Sequence, residues 1–257
     1  VSQTSNAMGA YNLYEYNFGN VLPDYGKLGV WRDAYYLTYN MFTTGSSFAG
    51  GRACAYDRAK MIAGVPAPTQ ICFNNMSRFS FLPADIGGNR LPPAGTPNFH
   101  ISWNWYEVAP PYTMQLTKFV PNFANPALSR FDDGLGGGTF SFVGFAMDAA
   151  TLAPCNDGAS SLTCVPQAGT TQKLDTLGDR HMYRLVYRRF STYDALLITQ
   201  AVDVVAGATA NLRWWEIRKP LSGAPVVHQN STFSPDTTAR WMGSAAFDKQ
   251  GNMAVGY

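Results

Sequence analysis

The C-terminal stretch Thr232–Tyr257, TFSPDTTARWMGSAAFDKQGNMAVGY, predicts a β-hairpin. Two segments of strand-like composition, Arg240–Asp248 and Asn252–Tyr257, flank the residues KQG. Aspartate at the first turn position and glycine where φ is positive are typical of tight turns. Two strands around a short glycine-containing loop form a hairpin. We interpret this hairpin as part of one blade of a β-propeller and expect related units upstream.

The rest of the chain predicts strands separated by turns, without a sustained helical period. Prolines stand between the predicted strands, where they cost no ladder hydrogen bond. One helical turn is predicted at Arg58–Ile62, and a turn is predicted at Asp24–Lys27. The predicted strands are Val1–Thr4, Tyr11–Phe18, Leu28–Phe42, Phe48–Asp57, Gln70–Phe73, Ser80–Ile86, Pro97–Val108, Thr113–Phe119, Thr139–Phe145, His181–Phe190, Asp194–Asp203 and Leu212–Arg218. This pattern predicts an all-β protein.

An internal repeat favours a propeller over the alternative, a β-sandwich. The pattern Tyr-x3-Tyr-x2-Phe occurs at Tyr35–Phe42 and again at Tyr183–Phe190, each time after a Leu-Gly pair. Periodic aromatic motifs in multi-strand units are typical of propellers, which use about four strands in each blade. We therefore predict one propeller-like domain over residues 1–257, with roughly three to four visible blades. Because the last hairpin stops at Tyr257, we expect the chain to be part of a longer one that completes the final blade.

Composition excludes several classes of function. Only 14% of residues are charged, against about 25% in typical proteins, and 14% are aromatic. The net charge is +2 and no run of Lys or Arg occurs, so we expect no nucleic-acid partner. No apolar stretch approaches the roughly 18 residues that span a membrane. This composition is typical of a rigid extracellular β-protein.

The cysteines predict two disulfides and an oxidising compartment. Cys155 and Cys164 bracket the polar loop NDGASSLT, and Cys54 and Cys72 lie in a strand-like region. Zinc is the competing interpretation, but the chain has no CxxC motif and its histidines are scattered. We therefore predict no metal and no cofactor. Disulfides persist outside the cytosol, so we expect a secreted or extracellular protein, in the periplasm or at the cell surface.

Five phrases resemble a group of uncharacterised secreted bacterial proteins with a predicted β-propeller-like region. The phrases are LGVWRDAYYLTYNMF (28–42), CAYDRAKMIAG (54–64), LDTLGDRHMYRLVYRRF (174–190), RWWEIR (213–218) and the C-terminal stretch. The resemblance implies secretion and an all-β fold, and it implies no activity. A weaker likeness to sialidase-type propellers lies in Asp248-x-x-Gly251-Asn252. That turn lacks the full Ser-x-Asp-x-Gly-x-x-Trp pattern of an Asp-box, so no catalytic role carries over.

A repeated Asp…Arg-x-Met pattern is the main candidate for a binding site. Asp175 precedes Arg180 as Asp236 precedes Arg240, and Trp31-Arg32-Asp33 occupies the comparable place in the first unit. At one mouth of a propeller channel, such arginines could bind a carboxylate or sulfate bidentately. The candidate ligand-binding residues are Trp31, Arg32, Asp33, Asp175, Asp179, Arg180, Asp236, Arg240 and Trp241. The alternative, which we favour, is a set of structural Asp–Arg pairs and Asx turns.

Aromatic residues are the second candidate, since exposed rings stack on sugars while buried rings pack between blades. The aromatic set is Trp31, Tyr35, Tyr36, Trp103, Trp105, Trp214, Trp215 and Trp241. Trp214 and Trp215 must point to opposite faces if both lie in one strand.

Two functions from different classes follow from these observations. The first is a secreted binding or surface-assembly module without catalysis, with a glycan or another extracellular protein as partner and with aromatic-lined grooves. The second is a carbohydrate-active hydrolase or lyase. In it, carboxylates such as Asp33, Asp179 and Glu216 would act as acid, base or nucleophile. The enzyme requires Arg180 and Arg240 to converge on one open pocket.

Overall fold

A computed structural model describes residues 1–44, 47–75, 79–103, 114–132, 140–141, 163–203, 209–220 and 225–257. Strands make up 55% of the structure and helix 4%, so the all-β prediction is confirmed. Helix α1 spans Arg58–Ile62, as predicted, and a 3-10 turn spans Pro126–Leu128. The strands are β1 Val21–Val30, β2 Ala34–Thr43, β3 Phe48–Asp57, β4 Gln70–Asn75, β5 Leu82–Ile86, β6 Asn98–Trp103, β7 Met114–Val120, β8 Arg130–Asp132, β9 Phe140–Ser141, β10 Thr163–Pro166, β11 Lys173–Asp175, β12 His181–Arg189, β13 Tyr193–Asp203, β14 Ala210–Pro220, β15 Val226–Phe233, β16 Ser244–Phe247 and β17 Met253–Gly256.

The described strands form four open sheets. One has four strands in the order β1-β2-β3-β4, and one has nine in the order β15-β14-β13-β12-β5-β6-β7-β8, with β9 beside β7. Strands β10–β11 and β16–β17 form separate two-stranded sheets. Strand β12 pairs parallel to β5, while the other pairs are antiparallel. The four-stranded blades of a propeller are not shown by these sheets, so the propeller stays a prediction.

One hydrophobic core is shared by the four-stranded and nine-stranded sheets. Trp31 from the turn after β1 is 1% exposed, and its ring lies 4.6 Å from that of Tyr187 in β12. Strands β1 and β5 approach so closely that a Cβ at Gly29 would lie 2.6 Å from the Ala84 carbonyl oxygen. Full burial of one such large apolar side chain stabilises the fold by roughly 1.5–3 kcal/mol. This core fixes the inner face of the four-stranded sheet and leaves its outer face for other contacts.

The predicted boundary between the first strands is wrong. Asp24–Lys27 was predicted as a turn, but it lies inside β1, where the register with β2 shifts and Tyr25 has φ of 54°. A bulge thus replaces the turn, since a bulge also takes turn-forming residues. The chain reverses instead at Trp31–Asp33, where the Trp31 amide donates to the Ala34 carbonyl. Leu28–Phe42 is therefore the end of one strand and most of the next.

The C-terminal hairpin is confirmed, with shorter strands than predicted. The Asp248 amide donates to the Asn252 carbonyl across the turn, and Gly251 has φ of 94°. Phe247 packs on one face of the nine-stranded sheet, in a cluster with Val186 and Leu197. Strand β16 begins only at Ser244 because the chain first passes over Leu212, where a Cβ at Gly243 would lie 2.2 Å from a Leu212 methyl carbon.

One predicted disulfide is confirmed. Cys54 in β3 and Cys72 in β4 face each other in the ladder and are bonded. Cys155 of the second predicted pair lies outside the described residues, as do parts of the predicted strands Pro97–Val108 and Thr139–Phe145.

The segment Tyr11–Phe18, predicted as a strand, is extended but does not join a sheet. Its alternation is nevertheless real, because Tyr14 and Tyr16 are half-buried while Leu13 is exposed. Side chains hold the segment in place: the Tyr14 hydroxyl donates to the Met61 carbonyl at 2.7 Å. Residues 1–20 therefore cover the outer face of the four-stranded sheet through side-chain contacts.

Candidate functional site

Asp236 and Arg240 form a closed pair on the surface. The two terminal nitrogens of Arg240 donate to the two oxygens of Asp236, each at 2.8 Å. Asp236 also accepts the Thr238 amide at 2.7 Å, which makes an Asx turn. The Arg240 guanidinium holds the pKa of Asp236 well below its usual range. These contacts brace the turn before β16.

Asp175 and Arg180 share only half of that arrangement. Asp175 accepts the Leu177 amide at 2.8 Å, the same Asx turn that Asp236 makes with Thr238. Arg180 pairs instead with its neighbour Asp179, through two hydrogen bonds of 2.6 Å. Asp179 is 2% exposed. The repeat therefore predicts a shared turn but not a shared ion pair.

The Trp31-Arg32-Asp33 group serves the turn between β1 and β2. The Trp31 indole N–H donates to the Thr96 carbonyl at 3.1 Å, and Arg32 donates to the Pro92 carbonyl at 3.2 Å. The Asp33 carboxylate accepts the Tyr36 hydroxyl at 3.2 Å. The first two contacts hold the chain reversal against the loop before β6, and the third holds it to the start of β2.

Arg180 and Arg240 have different surroundings. The Arg180 guanidinium lies over the rings of Tyr25 and Phe79, at 4.7 and 4.5 Å. The Arg240 guanidinium lies beside the rings of Phe233 and Tyr257, at 5.4 and 5.6 Å.

The remaining predicted residues of this group also lie among structural contacts. Trp241 is half-buried beside Cys164 and Val165, and Glu216 binds Arg218 and Gln229. This geometry fits the structural alternative, and ligand binding at these residues stays a prediction.

A cleft of about 680 Å³ lies between the N-terminal segment and the outer face of the four-stranded sheet. We call it the tyrosine cleft, after the five tyrosines that line it together with one phenylalanine. These residues are Tyr14, Tyr16, Phe18, Tyr35, Tyr39 and Tyr56. The other lining side chains are aliphatic or uncharged and polar, and among the described residues no Asp, Glu, Lys or Arg side chain lines the cleft.

The rings of the tyrosine cleft form a connected wall. Phe18 packs edge-on against Tyr39 at 5.2 Å between ring centres, and Tyr16 packs edge-on against Tyr56 at 4.6 Å. The Tyr39 and Tyr56 hydroxyls lie 3.2 Å apart and link the two ring pairs. Edge-to-face pairs and hydrogen-bonded phenols hold rings in fixed orientations. The wall is therefore organised before any ligand arrives.

The aromatic wall of the tyrosine cleft is uncharged but has cations at its edge. Burial raises the pKa of Tyr16 to about 12, and burial also raises the pKa of Tyr39 and of Tyr56. These phenols are thus neutral donors and acceptors at physiological pH. Arg52 lies over the Phe18 ring at 5.2 Å, and Arg58 lies over the Tyr35 ring at 5.8 Å.

One residue of the cleft, Tyr35, was among the candidates predicted from the sequence, and the other lining rings were not predicted to meet it. The visible pattern was two alternating runs, Tyr14-x-Tyr16-x-Phe18 and Tyr35-x-Leu37-x-Tyr39, in which every second residue is aromatic or leucine. Period two puts such side chains on a single face.

The prediction that Trp214 and Trp215 point to opposite faces of one strand is confirmed. Trp215 is fully buried in the shared core, while Trp214 is half-buried in the cluster under the C-terminal hairpin. The side chain of Trp103 and all of Trp105 lie outside the described residues.

Comparison with protein-family models, curated protein sequences and solved structures gave no match to this chain. In the part of the chain that the structure describes, no helix is long and apolar enough to cross a membrane. Within the same residues, no group of three or more His, Cys, Asp or Glu side chains is placed to hold a metal ion.

Proposed function

We propose that the protein is an extracellular, non-catalytic binding module that holds a sugar ring of a glycan in the tyrosine cleft. The observation that carries the proposal is a preformed, uncharged wall of six aromatic rings around about 680 Å³. A hexose has flat C–H faces that pack on aromatic rings and hydroxyls that pair with phenols and amides. Tyrosine supplies both, and the cleft has the size of typical small-molecule sites, about 300–1,000 Å³.

The polar groups of the cleft suit a ligand rich in hydroxyls. The Tyr39 and Tyr56 hydroxyls bond to each other, and Gln70 donates to the Tyr56 oxygen at 3.0 Å. Asn12 lies on the opposite side, in the N-terminal segment. Each hydroxyl keeps capacity for a further hydrogen bond, since a phenol both donates and accepts. A purely apolar ligand would leave this further hydrogen-bonding capacity unused and cut off from water, which costs affinity.

The chemistry of the cleft favours binding over the alternative, a carbohydrate-active hydrolase or lyase. Glycosidases place two carboxyl groups about 5–9.5 Å apart around the scissile bond. In the part of the chain that the structure describes, no carboxyl side chain lines the tyrosine cleft. Asp57, which acts electrostatically on Tyr16, caps helix α1 through the Lys60 amide at 3.1 Å and pairs with the Lys60 ammonium at 3.4 Å. Its oxygens are thus committed to the helix.

The extracellular location is supported by the Cys54–Cys72 disulfide, since disulfides form and persist in oxidising compartments. The propeller and a role in surface assembly remain predictions from the sequence, and glycan binding in the tyrosine cleft does not depend on either.

A glycan array, run beside a panel of glycosidase and lyase substrates, tests the proposal on the purified protein. We expect specific binding to a neutral glycan class and no turnover of any substrate. Product release from the panel would favour the enzyme instead. Failure to bind any glycan, with the protein folded, would contradict the proposal.

A further inference from the structure

A second cavity, of about 450 Å³, lies where three separate parts of the chain meet. Its walls come from the loop after β5, the turn between β12 and β13, and the turn of the hairpin β16–β17. We call it the cationic pocket, because Arg90, Arg188, Arg189 and Lys249 line it. It shares no lining residue with the tyrosine cleft.

The charge of the cationic pocket is not compensated within it. The chain carries 19 Lys and Arg against 17 Asp and Glu, so four cations with no carboxylate among the lining residues are a local concentration. Among the ion pairs between described residues, none involves any of the four. A concave surface lined by one sign of charge focuses the potential and attracts counter-ions.

Two carboxylates lie beside the pocket without lining it. Asp248, next to Lys249, accepts the Gln250 amide at 2.8 Å and the Asn252 side-chain amide at 2.7 Å. Asp194 lies opposite Arg189 in the ladder between β12 and β13, is 5% exposed, and does not line the pocket. Among the described residues, the lining of the pocket therefore carries four cations and no carboxylate.

Arg188 is fixed in position before any ligand binds. One of its terminal nitrogens donates to the Phe247 carbonyl at 3.1 Å, which ties it to the hairpin. On the other side, Gly88 has φ of 91°, and a Cβ there would lie 2.8 Å from a terminal nitrogen of Arg188. A side chain at position 88 would displace the end of the Arg188 side chain, which glycine leaves in place, and a guanidinium held in this way loses little entropy on binding an anion.

An aromatic wall stands beside the cations. The rings of Phe190 and Tyr193 lie 4.8 Å apart, and both residues line the pocket. An apolar surface next to a group of cations suits a ligand that carries an anionic group on a ring, in preference to a free inorganic ion.

We propose that the cationic pocket binds a sulfate or phosphate ester on a sugar-sized ring. Arginine forks match the oxygens of such groups and form charge-assisted hydrogen bonds with them. Arg188 holds the oxyanion from the β12–β13 turn, while Arg90, Arg189 and Lys249 add positive charge around the pocket. The ring of the ligand lies against Phe190 and Tyr193. This inference does not rest on glycan binding in the tyrosine cleft.

Isothermal titration at low ionic strength with glucose 6-sulfate, glucose 6-phosphate and glucose tests this proposal. We expect at least one ester to bind and glucose not to bind at this pocket, with affinity that falls as salt is raised because the interaction is ionic. The ester that binds more tightly shows whether the pocket is specific for a sulfate or for a phosphate group.

The variant Arg90→Gln/Arg189→Gln tests the residues, with Lys173→Gln, an exposed lysine on β11, as the matched control. Each lost charge-assisted hydrogen bond corresponds to about a tenfold or larger loss of affinity. Thermal unfolding of each variant checks that it is folded. Equal ester affinity in the double variant and the wild type, or no ester binding above that of glucose, would overturn the proposal. Tyr35→Ala should leave ester binding unchanged, which separates this site from the tyrosine cleft.

Discussion

The hydroxyl oxygens of Tyr39 and Tyr56 lie 3.2 Å apart, on the neighbouring antiparallel strands β2 and β3. Gln70 on β4 extends this link, since its amide donates to the Tyr56 oxygen at 3.0 Å. A chain of polar contacts therefore crosses three strands on the outer face of the four-stranded sheet. It holds the tyrosines of the cleft in register with the N-terminal segment above them.

Tyr39→Phe should lower the free energy of unfolding by about 1 kcal/mol, because it removes one partly buried hydrogen bond and keeps the ring. Urea unfolding measures this change. Tyr11→Phe is the control, since the Tyr11 hydroxyl donates to the Ala7 carbonyl at an exposed site. Equal effects of the two substitutions would show that the link between Tyr39 and Tyr56 contributes nothing.

Three tyrosines of the cleft, Tyr16, Tyr39 and Tyr56, should ionise late and make the fold sensitive to alkali. Burial raises the pKa of Tyr16 to about 12, above its usual value of 10. The unfolded chain therefore loses this proton first, so stability is complete below pH 10 and falls as pH rises from 10 towards 12. Absorbance at 295 nm during alkaline titration follows the phenols. Tyr16→Phe should remove one late-titrating group, and an unchanged titration curve would refute the assignment.

Two buried histidines should make the protein sensitive to acid. His100 and His181 are almost fully buried, and burial lowers the pKa of each to about 3. Because the unfolded chain binds these protons near pH 6.5, stability is complete above that value and falls as pH drops towards 3. The expected slope is about 1.4 kcal/mol per pH unit for each histidine.

Replacing the histidines tests that expectation. His100 packs among aromatic rings, with Phe131 at 5.2 Å between ring centres, so His100→Phe retains an aromatic side chain there. This variant should show a shallower loss of stability between pH 6 and 4, whereas the exposed control His228→Gln should not. A slope unchanged by His100→Phe would contradict the prediction.

Arg180 should matter for folding more than Arg240. The Asp179 side chain is 1% exposed, so Arg180→Met leaves a buried carboxylate without its bidentate partner. Loss of one member of a buried pair costs about 3–5 kcal/mol. Arg240→Met leaves Asp236 on the surface, where its side chain is 52% exposed, and should cost much less. Chemical unfolding of both variants would refute this ranking if the losses were equal.

The parts of the fold that local patterns control were predictable. Turn chemistry at Asp248–Asn252 predicted the C-terminal hairpin, and alternation predicted the extended segment Tyr11–Phe18. The pairing of β5 with β12 was not predictable, because it joins residues about a hundred positions apart and local propensity carries no information on long-range pairing.

In the candidate site too, local features were predictable and contacts between distant segments were not. The Asx turns at Asp175 and Asp236 are local, and the sequence pattern predicted their likeness. The tyrosine cleft depends on docking an N-terminal segment onto a sheet, through contacts such as Tyr14 with Met61. No sequence motif or strand-pairing pattern indicates where this segment docks. Only the alternation of tyrosines within each run was therefore visible.

Titration of the strongest array glycan into wild-type protein and into Tyr35→Ala is the most direct test of glycan binding in the tyrosine cleft. Tyr35 is a half-buried ring of the cleft wall, and Tyr11→Ala removes an exposed tyrosine that does not line the cleft. We predict that Tyr35→Ala weakens binding about tenfold, since a lost aromatic contact costs roughly 1–1.5 kcal/mol, and that Tyr11→Ala binds as the wild type does. Equal affinity of folded Tyr35→Ala and wild type would contradict the account.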